Sequence, residues 1–202
     1  MGLKEMLSGI SKAAVPLAKK VPFHPNVLTL FSLLLALAAT AFIYQGSVLL
    51  AAAFVVLAYL MDGIDGLVAR ARRLESAFGA YFDGISDRIV DFFILLAMMT
   101  LAWPWQQMAQ FAIIMLISFG VFLTSFALAY ADHRGAVRKE DLRKMKCIFE
   151  RPERCAAILL SLVAYAFSPQ VSMYIIIAAA GLSVIAFLQR FVKAAEINMG
   201  YK

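Results

Sequence analysis

The chain has 202 residues, of which 63% are hydrophobic and 16% are charged, and its formal net charge is +6. Soluble globular domains carry about 45–50% apolar and about 25% charged residues. The composition therefore excludes a soluble domain, a disordered chain, a fibrous repeat and, with only two cysteines, a disulfide-stapled secreted scaffold. We predict an integral membrane protein with a single domain.

The first 24 residues are basic and lack a continuous apolar region, so we expect no cleavable signal peptide here. Apolar residues recur at helical spacing from Leu3 to Leu17, opposite lysines. This pattern predicts an amphipathic helix at the membrane interface, bent at Pro16, with a solvated linker as the alternative. We expect residues 1–24 to form this juxtamembrane segment and residues 25–202 to form the membrane domain.

Six apolar segments follow, most of them near the roughly 20 residues that a helix needs to cross a bilayer. We therefore expect an all-α protein with six transmembrane helices. The second and fifth segments are short, so we expect the second helix to continue beyond Met61. The fifth either begins before Cys155 or lies against protein and water. The segments lie at 26–44, 47–61, 85–101, 108–131, 155–167 and 171–188.

Basic residues are unevenly distributed between the predicted helices. All 19 lysines and arginines belong to four groups: the N-terminus, the second-to-third and fourth-to-fifth connections, and the C-terminal end. The three short connections at 45–46, 103–107 and 168–170 have none. The positive-inside rule then places both termini and both long connections in the cytoplasm. This placement accounts for the net charge without a nucleic-acid partner.

Four aspartates lie where the second helix ends and the third begins. Asp62 and Asp65 are spaced i,i+3, and Asp83 and Asp87 are spaced i,i+4, so each pair shares a helix face. If the two helices are neighbours, the carboxylates converge, and a divalent cation would offset their desolvation and mutual repulsion. Oxygen ligands without a nearby His or Cys favour Mg²⁺, with Mn²⁺ or Ca²⁺ as alternatives, over zinc.

Glycines at positions 63, 66, 79 and 84 accompany these aspartates. They lower helix propensity but let a ligand or another backbone approach closely. Together with the carboxylates, a metal ion and Arg70, they predict a site for a pyrophosphate and its attached base. The alternative is an internal ion-pair network with Arg70 and Arg88, which would not need four aspartates.

The motif Asp-x-x-Asp-Gly-x-x-Ala-Arg, followed after eight residues by Gly-x-x-x-Asp-x-x-x-Asp, resembles the signature of the CDP-alcohol phosphotransferases. Every fixed position is present between Asp62 and Asp87. The segment Pro25-Asn-Val-Leu-Thr29 is similar to the start of the first helix in that family. The resemblance implies a homodimer of six-helix subunits with a cytosol-facing active site.

The resemblance also implies a role for each motif residue. Asp62, Asp65 and Asp83 would hold the metal, which we expect to be two Mg²⁺ ions. Asp87 would be the catalytic base and a further metal ligand. The reaction implied transfers a diacylglycerol or archaeol phosphate group from a CDP-linked lipid to a hydroxyl and releases CMP. Residues expected to bind the CDP-lipid are Asn26, Thr29, Gly66, Ala69, Arg70, Ser76 and Gly79.

The connection between the fourth and fifth helices has eight basic and five acidic residues, which favours an anionic acceptor. Membrane orientation and attraction to anionic lipids would explain the same charge. The run Glu150-Arg-Pro-Glu-Arg154 resembles phosphatidylinositol-phosphate and archaetidylinositol-phosphate synthases, which implies myo-inositol 1-phosphate as acceptor. Candidate ligands of its phosphate are Arg134, Arg151, Arg154, Lys144 and Lys146. Asp132-His133 departs from the family pattern, so glycerol 3-phosphate and serine stay as alternatives.

Two other protein classes fit part of the pattern. A small cation transporter could bind its ion through membrane aspartates, but such transporters often repeat polar features in both halves, and helices five and six have no acidic residue in their apolar runs. A non-catalytic scaffold would be expected to lose the aspartates first. Asp91, one turn beyond the motif, is expected to pair with Arg88 or with another helix. Size and simplicity favour a prokaryotic plasma membrane.

Overall fold

A computed structural model describes residues 16 and 18–200 of the chain, and within them every regular element is a helix. The predicted interfacial helix at 1–24 lies largely outside these residues. Six long helices follow between residues 25 and 199, with a short 3₁₀ helix at Leu142–Met145. They are α1 (Pro25–Tyr44), α2 (Val48–Arg72), α3 (Ala77–Met98), α4 (Gln106–His133), α5 (Arg151–Tyr165) and α6 (Pro169–Met199).

Four of these helices, α1, α2, α4 and α6, are long and apolar enough to cross a membrane. The other two are α3, which carries Asp83, Asp87, Arg88 and Asp91, and α5, which has 15 residues. The prediction of an all-helical protein with membrane-spanning helices is confirmed. The count of six spans stays a prediction.

The helices extend beyond the apolar segments where polar residues continue them. As predicted, α2 continues past Met61, and it ends at Arg72. The fifth helix begins before Cys155, at Arg151, which is one of the two alternatives given for it. The hydroxyl of Ser76 caps α3 by accepting a hydrogen bond from the backbone N–H of Gly79 at 2.9 Å. Both ends of the motif are therefore helical, and α2 and α3 both pack against α1.

Small residues let the first two helices approach closely. Ala39 of α1 and Ala51 and Ala58 of α2 are fully buried, and Ser32 donates a hydrogen bond to the carbonyl of Ala58 at 2.9 Å. Membrane helices associate through such close packing because lipid supplies little hydrophobic driving force between them. α3 packs against α1, whereas α4 and α5 pack against α6.

The middle of α4, Leu116–Leu123, has the wider turns of a π-helix. Gly120 lies in this segment, and a Cβ atom there would come within 2.8 Å of the Ser183 hydroxyl and 3.1 Å of Arg154 Cδ. Glycine therefore permits α5 and α6 to approach α4 at this level. π segments often mark functional sites.

The connection between α4 and α5 is fastened to α6 mainly through its backbone. Arg190 donates to the Met145 carbonyl at 3.1 Å, and Asn198 donates to the Ala136 carbonyl at 2.9 Å. Two further contacts join Lys193 to the Lys146 carbonyl and the backbone N–H of Ile148 to the side chain of Gln189. The last turns of α6 therefore hold this connection in place.

Candidate active site

Three aspartates of the motif form a compact cluster at the junction of α2 and α3. One carboxylate oxygen from each of Asp62, Asp83 and Asp87 lies within 4.8 Å of the others. The spacings along the two helices predicted that all four aspartates converge, and three of them do. Asp65, the fourth aspartate, is not part of this group.

Asp65 is held instead by α1. Its side chain is buried, and its Oδ2 accepts a hydrogen bond from the hydroxyl of Thr29 at 2.5 Å. The same hydroxyl lies 3.2 Å from the carbonyl of Pro25. This contact joins the start of α1 to the polar end of α2, and it directs Asp65 toward the cavity described below.

Arg151 lies among the clustered carboxylates. Its Nη1 donates to Asp62 Oδ2 at 2.8 Å, and its Nη2 lies 2.8 Å from Asp87 Oδ1. The second contact is an ion pair and not an aligned hydrogen bond. Its two atoms, Asp87 Oδ1 and Arg151 Nη2, are buried and have no hydrogen-bond partner among the described residues. One guanidinium therefore bridges α2 and α3 and supplies positive charge to two carboxylates.

The cluster has the properties of a divalent-cation site. Its ligands are all carboxylate oxygens, and Asp87 Oδ1 lacks a hydrogen-bond donor. Mg²⁺ binds oxygens at about 2.0–2.1 Å, so opposite ligands of one ion are about 4 Å apart. A spacing within 4.8 Å fits this requirement after small side-chain movements. A cation bound between Asp62 and Asp87 would displace the guanidinium of Arg151.

A cavity lies on one side of the cluster, between the start of α1 and the segment that joins α2 to α3. Asp83 and Asp65 contribute to its wall. There is little room for a side chain at position 79, since a Cβ atom on Gly79 would lie 3.0 Å from Ser76 Oγ. All seven residues expected to bind the CDP-lipid line this one cavity, namely Asn26, Thr29, Gly66, Ala69, Arg70, Ser76 and Gly79.

A second cavity lies on the other side of Arg151 and is rich in arginines. The sequence suggested Arg151 and Arg154 for it, and both line it. Arg88 of α3 and Arg190 of α6 were not among the candidates, and they line it too. The positive-inside rule groups Arg190 with the charges that orient the protein, and nothing in its spacing marks it as a site residue. We call this space the arginine-lined cavity.

The three other acceptor candidates lie elsewhere. Arg134, Lys144 and Lys146 are exposed on the connection between α4 and α5, and the structure does not bring them to the arginine-lined cavity. The reason is the fastening to α6, which uses backbone atoms of this connection and leaves the basic side chains outside. Their role in binding the acceptor stays a prediction.

Arg88 and Asp91 each find a partner. Arg88 lies 3.5 Å from Asp87 and donates to the hydroxyl of Ser125 on α4 at 3.1 Å. Asp91 pairs with Arg154 of α5 at 2.9 Å. Of the two expected partners for Asp91, Arg88 or a residue of another helix, the structure shows the second, Arg154.

Curated proteins with similar sequences have been found for much of this chain. An archaetidylinositol phosphate synthase from Methanothermobacter thermautotrophicus is 28% identical over 181 residues, covering 88% of this chain and 86% of the relative. A bifunctional IPC transferase and DIPP synthase from Aquifex aeolicus is 33% identical over 144 residues. That match covers 68% of this chain but only 32% of the larger protein.

The fold is also that of a solved enzyme, the phosphatidylinositol phosphate synthase of Mycobacterium tuberculosis. Its structure with CDP-DAG bound gives a TM-score of 0.77 at 24% identity, covering 91% of this chain and 94% of that one. Its structure with manganese and citrate gives a TM-score of 0.76 at 23% identity, covering 93% and 88%. The family model for CDP-alcohol phosphatidyltransferase matches residues 23–187. The chain therefore belongs to the CDP-alcohol phosphatidyltransferase family.

Proposed function

We propose that this protein transfers a phosphatidyl-type group from a CDP-linked lipid to myo-inositol 1-phosphate and releases CMP. The observation that carries the proposal is the position of the three-carboxylate cluster between two cavities. Asp83 lines the cavity formed by small motif residues, and Arg151, which contacts Asp62 and Asp87, lines the arginine-lined cavity. A donor in the first cavity and an acceptor in the arginine-lined cavity would meet at the carboxylates.

The first cavity suits the CDP portion of the donor lipid. Gly66, Ala69 and Gly79 leave space for a flat base, and Arg70 offers donors to phosphate. The related synthase that binds CDP-DAG supports such a donor for this chain. Both CDP-diacylglycerol and CDP-archaeol have the CDP group that this cavity would contact, so either lipid would suit the cavity.

We propose that two Mg²⁺ ions, with Mn²⁺ as an alternative, are held by Asp62, Asp65, Asp83 and Asp87. When bound, such ions supply Lewis-acid stabilisation to the negative charge of a pyrophosphate. The manganese in the related synthase supports a divalent cation in this chain. The Oδ2 of Asp65 would have to contact both the ion and the hydroxyl of Thr29, which lies 2.5 Å away.

We propose that Asp87 acts as the general base. Its support is contact with Arg88 at 3.5 Å and with Arg151 at 2.8 Å, because both arginines line the arginine-lined cavity and a hydroxyl bound there would lie near Asp87. Asp87 accepts the hydroxyl proton while the oxygen bonds to the phosphorus that carries the lipid alcohol. The bond from that phosphorus to the phosphate oxygen of CMP breaks, and CMP leaves.

The arginine-lined cavity suits a phosphomonoester dianion. Arginine presents five N–H donors in a planar fork that matches phosphate oxygens. Arg88, Arg151, Arg154 and Arg190 all reach this cavity, with Glu150 as its acidic member. Serine lacks the phosphate that these arginines would contact, whereas glycerol 3-phosphate has it. The names of the related synthases favour inositol phosphate between the two phosphorylated acceptors.

The test is CMP release by the purified protein with Mg²⁺ and either CDP-diacylglycerol or CDP-archaeol. We expect release with myo-inositol 1-phosphate, with kcat/KM at least about tenfold above that for glycerol 3-phosphate, and none with serine or free inositol. Preference for glycerol 3-phosphate would replace the acceptor and keep the chemistry. Absence of CMP with every pair would contradict the proposed activity.

We further propose that α3 and α5 cross the membrane together with the other four helices. In this proposal residues 25–202 form one membrane domain, which lies in a prokaryotic plasma membrane. The resemblance to the family supports this topology and a homodimer. The buried Asp87 and Asp91 of α3 face protein, while its Ile85 and Leu96 are exposed, as lipid-facing residues would be. Six spans put residues 46 and 135 on opposite sides.

This topology is open to a labelling experiment. Cysteines are introduced one at a time at Gly46 and Gly135, two exposed positions, in a chain whose Cys147 and Cys155 are replaced by serine. We expect an impermeant maleimide to label position 46 from outside intact cells, and position 135 only after the membrane is opened. Equal labelling of both in intact cells would contradict the six-span topology.

A further inference from the structure

Asp91 has no place in the proposed chemistry, yet it is the most deeply buried charged residue in the described part of the chain, at 0% exposure. Its Oδ2 accepts a hydrogen bond from Arg154 Nε at 3.0 Å and lies 2.9 Å from Arg154 Nη2. Its Oδ1 accepts from the hydroxyl of Tyr59 on α2 at 3.3 Å and lies 3.8 Å from the Cys155 sulfur. One carboxylate therefore links α2, α3 and α5.

Arg154, like Asp91, is buried and hydrogen-bonded. It is 4% exposed, and its Nη1 donates to the carbonyl of Gly120 in the π segment of α4 at 2.8 Å. The seat depends on the missing side chain at Gly120, where a Cβ atom would lie 3.1 Å from Arg154 Cδ. Arg154 thus has fixed partners on two helices while it lines the arginine-lined cavity.

These contacts leave donors for a ligand. A guanidinium has five N–H groups. One bonds to Asp91, one bonds to the Gly120 carbonyl, and Nη2 also contacts Asp91, so at least two remain for the cavity. The contacts with Asp91 and Gly120 fix the plane of the guanidinium and the direction of the donors that remain.

The pair also repeats the contact made at the carboxylate cluster. Asp91 lies one turn beyond Asp87 on α3, and Arg154 lies one turn beyond Arg151 on α5. The ion pairs Asp87–Arg151 and Asp91–Arg154 are therefore successive rungs between the same two helices. A shift of α5 along α3 would therefore break both ion pairs.

We propose that Asp91 is a positioning residue for the phosphate of the acceptor, because it orients the free donors of Arg154 into the arginine-lined cavity. Asp91 itself touches no substrate. This inference rests on the proposed function, in which a phosphorylated acceptor occupies that cavity. It explains why a buried carboxylate lies outside the motif that holds the reacting groups.

The first test replaces Asp91 by asparagine, which keeps the volume and removes the charge. We expect the KM for myo-inositol 1-phosphate to rise about tenfold or more, and the KM for the CDP-lipid to change less than about twofold. Asp91→Glu, which keeps the charge, is expected to recover part of the loss. Equal changes in both KM values, or asparagine and glutamate variants that behave alike, would overturn the proposal.

A double-mutant cycle shows whether Asp91 acts through Arg154. In an Arg154→Gln protein, Asp91→Asn is expected to add less than about twofold to the acceptor KM, because the residue that it orients is gone. The double variant has no lone buried charge, so it stays informative if Asp91→Asn alone does not fold. Additive losses would overturn the proposal.

Ser161→Ala is the matched control. Ser161 is fully buried on α5 and exchanges hydrogen bonds with Ser172 of α6, away from both cavities. Its loss is expected to lower the Tm and leave the acceptor KM unchanged. If it raises the acceptor KM as much as Asp91→Asn does, the effect of Asp91 is general loosening of α5, and the proposal fails.

Binding measured by calorimetry separates this inference from the proposed function. Wild-type protein that binds myo-inositol 1-phosphate but releases no CMP would refute the proposed reaction. A Kd raised by Asp91→Asn would then still support the positioning role. Protein that releases CMP with serine and binds no phosphorylated acceptor would overturn the inference while the transferase chemistry stands.

Discussion

Asp87→Asn is expected to lower the rate of CMP release by about 10²–10⁴-fold while the protein still binds its CDP-lipid. Asparagine has nearly the same shape but cannot accept the proton of the attacking hydroxyl. The lipid should still bind because the residues that line its cavity are unchanged, and Asp62 and Asp83 still carry two of the three clustered carboxylates. The measurement is single-turnover CMP release beside equilibrium binding of the CDP-lipid.

The matched control for Asp87→Asn is Glu140→Gln, which removes one carboxylate from an exposed position on the connection between α4 and α5. We expect it to keep the wild-type rate. Mn²⁺ binding is measured in parallel, because Asp87 is also assigned to the metal. Turnover at the wild-type level in Asp87→Asn would refute the assignment of the base.

Arg151→Gln is expected to change two affinities in opposite directions. The KM for the acceptor should rise about 10–100-fold, which corresponds to the roughly 1.5–3 kcal/mol of a hydrogen bond to a charged group. Mn²⁺ should bind more tightly, because Arg151 lies 2.8 Å from both Asp62 and Asp87 and must leave before an ion can bind between them. Removing this competing charge also leaves the cluster more negative.

Titration of Mn²⁺ followed by electron paramagnetic resonance measures the affinity for the ion, and initial rates at varied acceptor concentration measure the KM for the acceptor. Arg143→Gln, an exposed arginine between α4 and α5, is the control for lost positive charge and should change neither. Weaker Mn²⁺ binding in Arg151→Gln would show that the guanidinium assists the ion instead of competing with it.

Much of the cluster follows from local spacing alone. An i,i+3 pair and an i,i+4 pair each lie on one helix face. Three of the four aspartates, Asp62, Asp83 and Asp87, converge as expected, whereas Asp65 bonds to Thr29 of α1. Hydropathy placed the helix ends less well, since α2 and α3 continue as helix through the polar residues that form the site.

Contacts between distant parts of the chain could not be predicted in this way. Arg151 meets Asp62 across 89 positions, and Arg190 reaches its cavity from the sixth helix. Both depend on how α5 and α6 pack against the motif. Charge alone also could not separate ligand-binding arginines from those that orient the protein, because both kinds lie at the same ends of the helices. Arg134, exposed on the connection, illustrates this ambiguity.

The fastening between α6 and the connection before α5 has an evolutionary consequence. The side chains of Arg190, Lys193 and Asn198 reach carbonyl oxygens, and every residue of the connection has a carbonyl whatever its side chain. Substitutions along the connection therefore leave these attachments intact. Selection can alter the charge and size of the side chains along the connection, while α6 holds its backbone in place.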